Sequence, residues 1–444
     1  MFFRILAALA AFVVLVSPAH AAPPYALQAD AMLRNYTEAG RFSGAVLVAK
    51  DGKPVFRKAY GWANREWKLA TTPDTAFRLG SITKQFTAAA ILKLAEQGKL
   101  SVDDPIAKYY AAAPTAWAPI TLKHLLTHTS GIPSYTAIPG FFTGPLARTD
   151  MKPDEIIALT RDKPLEFAPG SRYAYDNTGY ILLGYIIEKV SGQTYSTYLQ
   201  EQFFGPLGLK HTGYDVTEAV LPKRADGYDI VDGTAKNAPF LSMSLPWAAG
   251  SLYSTVDDLL AWDLALRSGK AINPASVTAM FTDQGFKYGY GQAIETRDDK
   301  RYWHHGGGVN GFTTMLARYP DQHLTLVVLA NQTNSDPARI TNRLGELYFH
   351  PERGGATGAP AAAELERYVG RYKITDTYAL DVTREGKQLF VQPTNGAKAA
   401  LSREIGRSFF GPRAVGYLEF ADGPKAAAVV VSRGPARTVG KRVD

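Results

Sequence analysis

Residues 79–99 read LGSITKQFTAAAILKLAEQGK. Gly80 permits a tight backbone approach, and the residues after it are helix formers with Phe86, Ala90, Ile91, Leu94 and Ala95 at helical spacing, up to a stop at Gly98. Ser81 therefore stands at a helix N-terminus, with Lys84 one turn on and on the same face. A serine hydroxyl is a weak nucleophile until a base takes its proton, and a lysine amine three residues away can be that base. Its ordinary pKa of about 10.4 must fall to about 7–8, a shift of about 3–4 kcal/mol that burial or a nearby positive potential has to supply. The helix N-terminus also offers the Ser81 N–H to a developing oxyanion. A chain of 444 residues meets about one Ser-x-x-Lys by chance. An N-cap serine beside a solvated lysine is the competing reading, so the rest of the chain has to decide.

Residues 1–21 carry one early charge, Arg4, then an apolar run from Ile5 to Val16 and Ala19-His20-Ala21. This is the pattern of a secretory signal peptide with an A-x-A cleavage site, and the run is short for a membrane anchor. A mature chain starting near Ala22 is expected in the periplasm or outside the cell. The remaining length and the 46% hydrophobic fraction support two domains. Cysteine is absent, which excludes disulfides and thiolate metal sites. The net charge is +8, and residues 361–444 hold fourteen Lys plus Arg against nine Asp plus Glu, a difference of +5. No nucleic-acid-binding pattern accompanies that basic tail, so attraction to an anionic envelope polymer such as peptidoglycan is the partner it suggests.

A first helix is expected around 26–38, and strands at 43–49 and 54–59 flank an Asp51-Gly52 hairpin turn. His124 and His128 are spaced i,i+4 but lack the glutamate of H-E-x-x-H and any third ligand, so they read as structural histidines. Asp103-Asp104 reads as a turn or cap. Further on, Tyr173 to Asn177 read as a loop before an apolar helix at 180–190. Tyr175 and Asn177, two apart on that loop, can both face a cleft; a tyrosine can relay a proton to Ser81, and an amide can hold Lys84 and a substrate carbonyl. In RYWHHGGGVNGF, glycines 306–308 bring backbone N–H groups close to a ligand, with His305 at the mouth of the run. Strands at 313–319 and 324–330 complete the sheet begun by the N-terminal hairpin. Residues 351–363 are rich in Gly, Ala and Pro and read as a linker. Short alternating segments across 364–444 suggest a small antiparallel barrel or sandwich, and a small lipocalin-like β-barrel domain is the expectation there.

SITK at 81–84, YDN at 175–177 and HGG at 305–307, together with HLLTHTSG, resemble the penicillin-recognising serine hydrolases, in particular the class C β-lactamase-related group of D-aminopeptidases, amidases and esterases. The resemblance spans about residues 25–345. It implies an α+β fold of an antiparallel sheet flanked by helices, with a helical lobe and the cleft between them, in a hydrolase domain placed at 22–350. It also implies Ser81 as acylated nucleophile, Lys84 and Tyr175 sharing its proton, Asn177 orienting substrate, and His305, Gly307 and Gly308 as substrate-binding, with the Gly308 N–H as second oxyanion donor. No cofactor or metal is called for. His305 takes the place of a lysine, and a partly charged imidazolium there is expected to grip a substrate carboxylate, giving a bell-shaped pH profile. The implied activity is hydrolysis of a D-amino-acid-containing peptide or amide through an acyl-enzyme, with a β-lactamase or a carboxylesterase as alternatives. A non-catalytic envelope-binding or self-assembling protein is the alternative of another class.

Overall fold

The computed structural model describes residues 24–444 other than 356, 359 and 435; the signal-peptide reading at 1–21 lies outside the described residues. Helix α1 (Pro24–Glu38) leads into strands β1 (Gly44–Lys50) and β2 (Lys53–Tyr60). Asp51 and Gly52 both take positive φ, 51° and 77°, the turn that matches the twist of a two-residue hairpin. The chain returns to this sheet after some 230 residues with β3 (Ala293–Arg297), β4 (Lys300–Val309), β5 (Phe312–Tyr319) and β6 (Leu324–Ala330). The order β3-β4-β5-β6-β1-β2 is antiparallel throughout.

Both faces of the sheet are covered, which is why β1 and β6 are near-continuous apolar runs rather than alternating ones. Ala45, Leu47 and Ala49 face the inner core with the helices of the middle of the chain, among them α2 (Thr83–Glu96), α3 (Asn177–Ser191) and α4 (Val256–Arg267). Val46 and Val48 face the outer core, closed by Met32, Leu33 and Tyr36 of α1 and by Ile340 and Leu344 of α5 (Pro337–Phe349).

A closed eight-stranded antiparallel barrel follows, from Gly370–Lys373 to Ala436–Arg442. Its interior is filled by side chains such as Tyr368, Tyr372, Phe409, Leu418 and Phe420, as eight strands allow. Two strands escape the sequence pattern, Ala399–Ile405 and Ala436–Arg442, because their alternation is interrupted by charged residues. In the stretch read as a linker, Pro351–Gly354 forms a short turn held to α1 by Gln28, whose Nε2 donates to Pro351 O at 2.9 Å. The barrel docks on the outer-core side, away from Ser81. There the buried Glu404 accepts from Tyr36 at 2.5 Å and from Arg339 at 2.7 Å, and Ile405 and Phe410 join the outer core.

Candidate active site

The nucleophile segment enters its helix through a 3₁₀ turn, Gly80–Ile82, that runs directly into α2. Leu79 anchors the turn from both sides: its N–H donates to Leu252 O at 2.8 Å, and its carbonyl accepts from Thr314 Oγ1 at 2.7 Å. Gly80 has φ +56°, and a Cβ there would stand 2.6 Å from the Gly308 nitrogen. Only glycine lets the serine turn approach β4 this closely.

Lys84 is fully buried. Its Nζ donates to Asn177 Oδ1 and to Ala249 O, both at 2.8 Å, and lies 3.1 Å from Ser81 Oγ. Burial drives its pKa well below the ordinary lysine value, with Asp176 opposing. The rings of Tyr175 and Tyr180, 4.9 and 5.3 Å from Nζ, favour an ammonium but do not offset the lost hydration. The sequence asked for a depressed lysine, and desolvation supplies it.

Asn177 opens α3. Its Nδ2 donates to Thr136 Oγ1 at 3.0 Å, which leaves Oδ1 turned to Lys84. Asp176 caps the helix, accepting from the N–H groups of Thr178 at 2.7 Å and Gly179 at 2.9 Å. Its burial raises its pKa to about 7 against those hydrogen bonds. Tyr175 is 40% exposed and lines the cleft. The protein around it raises its phenol pKa by desolvation, and the Ser81 hydroxyl acts against that rise.

Ser81 and Lys84, and about 90 positions further on Tyr175 and Asn177, thus meet in one cleft. The profile of the Beta-lactamase family matches residues 29–348. The chain belongs to the beta-lactamase family. Penicillin-binding protein 4* of Bacillus subtilis (strain 168) is 28% identical over 421 residues, covering 88% of this chain and 92% of that one. Among solved structures, the penicillin binding protein from Bacillus halodurans is 31% identical with TM-score 0.64, over 72% of this chain and 99% of that one. A D-stereospecific amidohydrolase from Streptomyces sp. is 27% identical with TM-score 0.63, over 74% and 99%. The fold and the serine-hydrolase lineage are those of this family, with D-amino-acid-acting enzymes among the neighbours.

Two expectations within the beta-lactamase pattern are corrected by the geometry. His305 is only 7% exposed, and burial followed by the nearby Lys84 pushes its pKa down to about 3. Its Nε2 lies 2.9 Å from Tyr288 Oη and its Nδ1 2.5 Å from Gly306 O, so the ring is hydrogen-bonded at both nitrogens, and burial favours its neutral form over the partly charged imidazolium expected from the sequence. The descending alkaline limb assigned to it has no source.

The glycine run also divides. Residues 306–308 form no loop but lie within β4, opposite Met315, Thr314 and Thr313. A Cβ at Gly307 would fall 1.9 Å from Leu79 O, so Gly307 serves the packing of the serine turn, while a Cβ at Gly308 would meet nothing within 4 Å. Gly308 is the one with open space beside it. Strand β3 pairs only with residues 300–304 of β4. Among the described residues no strand covers the outer edge of 305–309, which leaves it for a substrate backbone.

Two side chains of the cleft floor drew no functional reading from the sequence. His128, read as structural, is buried there with its ring 4.3 Å from that of Tyr175 and tilted against it. Tyr288 carried no motif at all. Beside them a cavity of about 330 Å³ is walled by Tyr173, Tyr175, Phe286 and Tyr288, with Glu295 and Lys287 also on its lining. No group of His, Asp and Glu arranged to hold a metal occurs among the described residues.

Proposed function

We propose that the protein is an exported serine hydrolase that forms an acyl-enzyme on Ser81, acting on amides or short peptides containing a D-amino acid. The observation that carries this is the partner set of Lys84. A neutral amine has two hydrogens and one lone pair. Asn177 Oδ1 and Ala249 O can only accept and take both hydrogens. The lone pair is left for the Ser81 hydroxyl at 3.1 Å.

In the acylation step Ser81 Oγ bonds to the substrate carbonyl carbon while its proton passes to Lys84. The carbonyl oxygen takes up the negative charge opposite the N–H groups of Ser81 and Gly308. Collapse breaks the bond to the leaving amine, which receives the proton by way of Tyr175. Water then attacks the acyl carbon, giving its proton to the same Lys84 and Tyr175 pair and freeing Ser81. The aromatic cavity is of a size to take the acyl side chain. The D-stereospecific neighbour supports the stereochemical preference. A neutral His305 offers no positive charge to a β-lactam carboxylate, which puts β-lactamase activity below amidase and esterase activity. For export, the support is the leader-like sequence of residues 1–21; among the described residues no helix is long and apolar enough to cross a membrane.

Incubation with a fluorophosphonate or a labelled penicillin, followed by digestion, should place the adduct on Ser81, and Ser81→Ala should lose several powers of ten in turnover. An unlabelled Ser81, or undiminished turnover in the variant, refutes the reading. D- and L-amino-acid amides, short-chain esters and a chromogenic cephalosporin assayed side by side rank the substrates.

A further inference from the structure

Four hydrogen bonds run in series across the cleft floor, from the YDN loop to β4. A backbone amide can only donate, so the Asp176 N–H fixes His128 Nδ1 as an acceptor at 3.0 Å and puts the ring proton on Nε2. That Nε2 points to Tyr288 Oη at 3.3 Å. From the other end, a carbonyl can only accept, so Gly306 O fixes His305 Nδ1 as the protonated nitrogen. His305 Nε2 is then a lone pair, 2.9 Å from the same phenol oxygen. Tyr288 Oη therefore meets one donor and one acceptor, and the two ends agree on a single direction: Asp176 to His128 to Tyr288 to His305 to Gly306. All three side chains in the middle are buried.

Building on the acyl-serine reading, we propose that Tyr288 is a positioning residue that holds His305 as its neutral Nδ1–H tautomer, and thereby makes the His305 wall of the cleft select uncharged amides and esters over substrates that carry a carboxylate beside the scissile bond. A second proton on His305 would turn the Tyr288 O–H away from Nε2 and toward the Tyr180 oxygen, giving up the 2.9 Å contact for a different partner. The neighbouring charges do not favour that second proton. Lys84 of α2 and His304 on the same strand both disfavour a further positive charge. Asp176 spends its carboxylate on the start of α3, Glu295 is paired with His304 at 3.2 Å, and the Tyr180 hydroxyl donates to Leu126 O. The rings of Tyr175 and Tyr288 lie about 6 Å from the imidazole and complete its enclosure.

Two readouts test this on the full-length chain. The first is the ¹⁵N spectrum of the protein labelled at its eight histidines, with His305 and His128 assigned by substitution. His305 should remain neutral with its proton on Nδ1, and His128 neutral with its proton on Nε2, from about pH 8 down to pH 5. A doubly protonated His305 near pH 6, or the opposite tautomer, overturns the proposal, and this measurement needs neither a substrate nor a stable variant. The second is the ratio of kcat/KM for a D-amino-acid amide to that for the D-dipeptide with the same acyl residue and a free carboxylate. In the parent protein the ratio should favour the amide and stay flat over that pH range. In Tyr288→Phe it should move about tenfold toward the dipeptide at the acid end. An unchanged ratio in a folded Tyr288→Phe overturns the proposal. If neither substrate is turned over, the acyl-serine reading fails while the tautomers are still decided by the spectrum.

Discussion

The base role proposed for Lys84 needs an uncharged amine, and what lowers its pKa is no single neighbour but the loss of water around it. Its folded pKa is depressed, so the base form is populated once pH rises through that lowered value. For a neutral amide, kcat/KM should therefore climb on the acid side and reach a plateau well before the ordinary lysine range, with no falling limb from His305. A descending limb that disappears in His305→Gln would show that His305 titrates after all. Lys84→Arg keeps much of the volume but fixes a permanent charge there and cannot release a proton. Its acylation by a fluorophosphonate, followed by rapid quench, should slow by several powers of ten. Acylation at the parent rate would remove Lys84 from the role of base.

Strand β4 shows how an element can carry three glycines and remain a strand. Its pairing with β5 continues through all three residues, and the missing side chains let the serine turn pack against its face. Adjacent glycines should then respond in opposite ways. Gly307→Ala forces a carbon into Leu79 O and should destabilise the protein by about 3 kcal/mol or more, seen as a lowered Tm. Gly308→Ala meets no protein atom. It should leave Tm within a degree or so of the parent while raising KM for amide substrates. Equal effects of the two on Tm would mean that both glycines are structural.

For the whole molecule, the question is what couples the barrel to the hydrolase domain. Glu404 carries much of it: fully buried, it gathers Tyr36, Arg339 and Arg343 from two helices of the other domain. Although burial opposes its ionisation, Arg343 and Arg339 outweigh that and hold its pKa below the usual carboxylate range. Its contribution is therefore present at neutral pH and lost as pH falls through that lowered value. Glu404→Ala leaves the Arg339 guanidinium without its carboxylate, while Arg343 keeps Glu346 and Glu419, and should cost about 3 kcal/mol. Calorimetry should show the barrel transition separating from that of the hydrolase domain, with Ser81 labelling retained at temperatures where only the barrel has melted. A single undivided transition at the parent temperature would show that the apolar contacts of Ile405 and Phe410 suffice.

Local chemistry was written in the chain itself. The period of residues 83–96, the Asp51-Gly52 turn, the apolar runs of β1 and β6, and the SITK and YDN motifs depend on neighbours a few residues away, so they could be read in order. The state of each group in the cleft was not. Lys84 is held by Ala249 and Asn177, His305 by Tyr288, and His128 by Asp176, partners from 17 to 165 positions away. A pKa depends on the water that folding removes, and the tautomer on which donor arrives from elsewhere. Histidine in place of lysine was visible at position 305; that burial disfavours its charge, and that Gly307 packs on the serine turn while Gly308 has open space beside it, was decided only when distant segments closed around them.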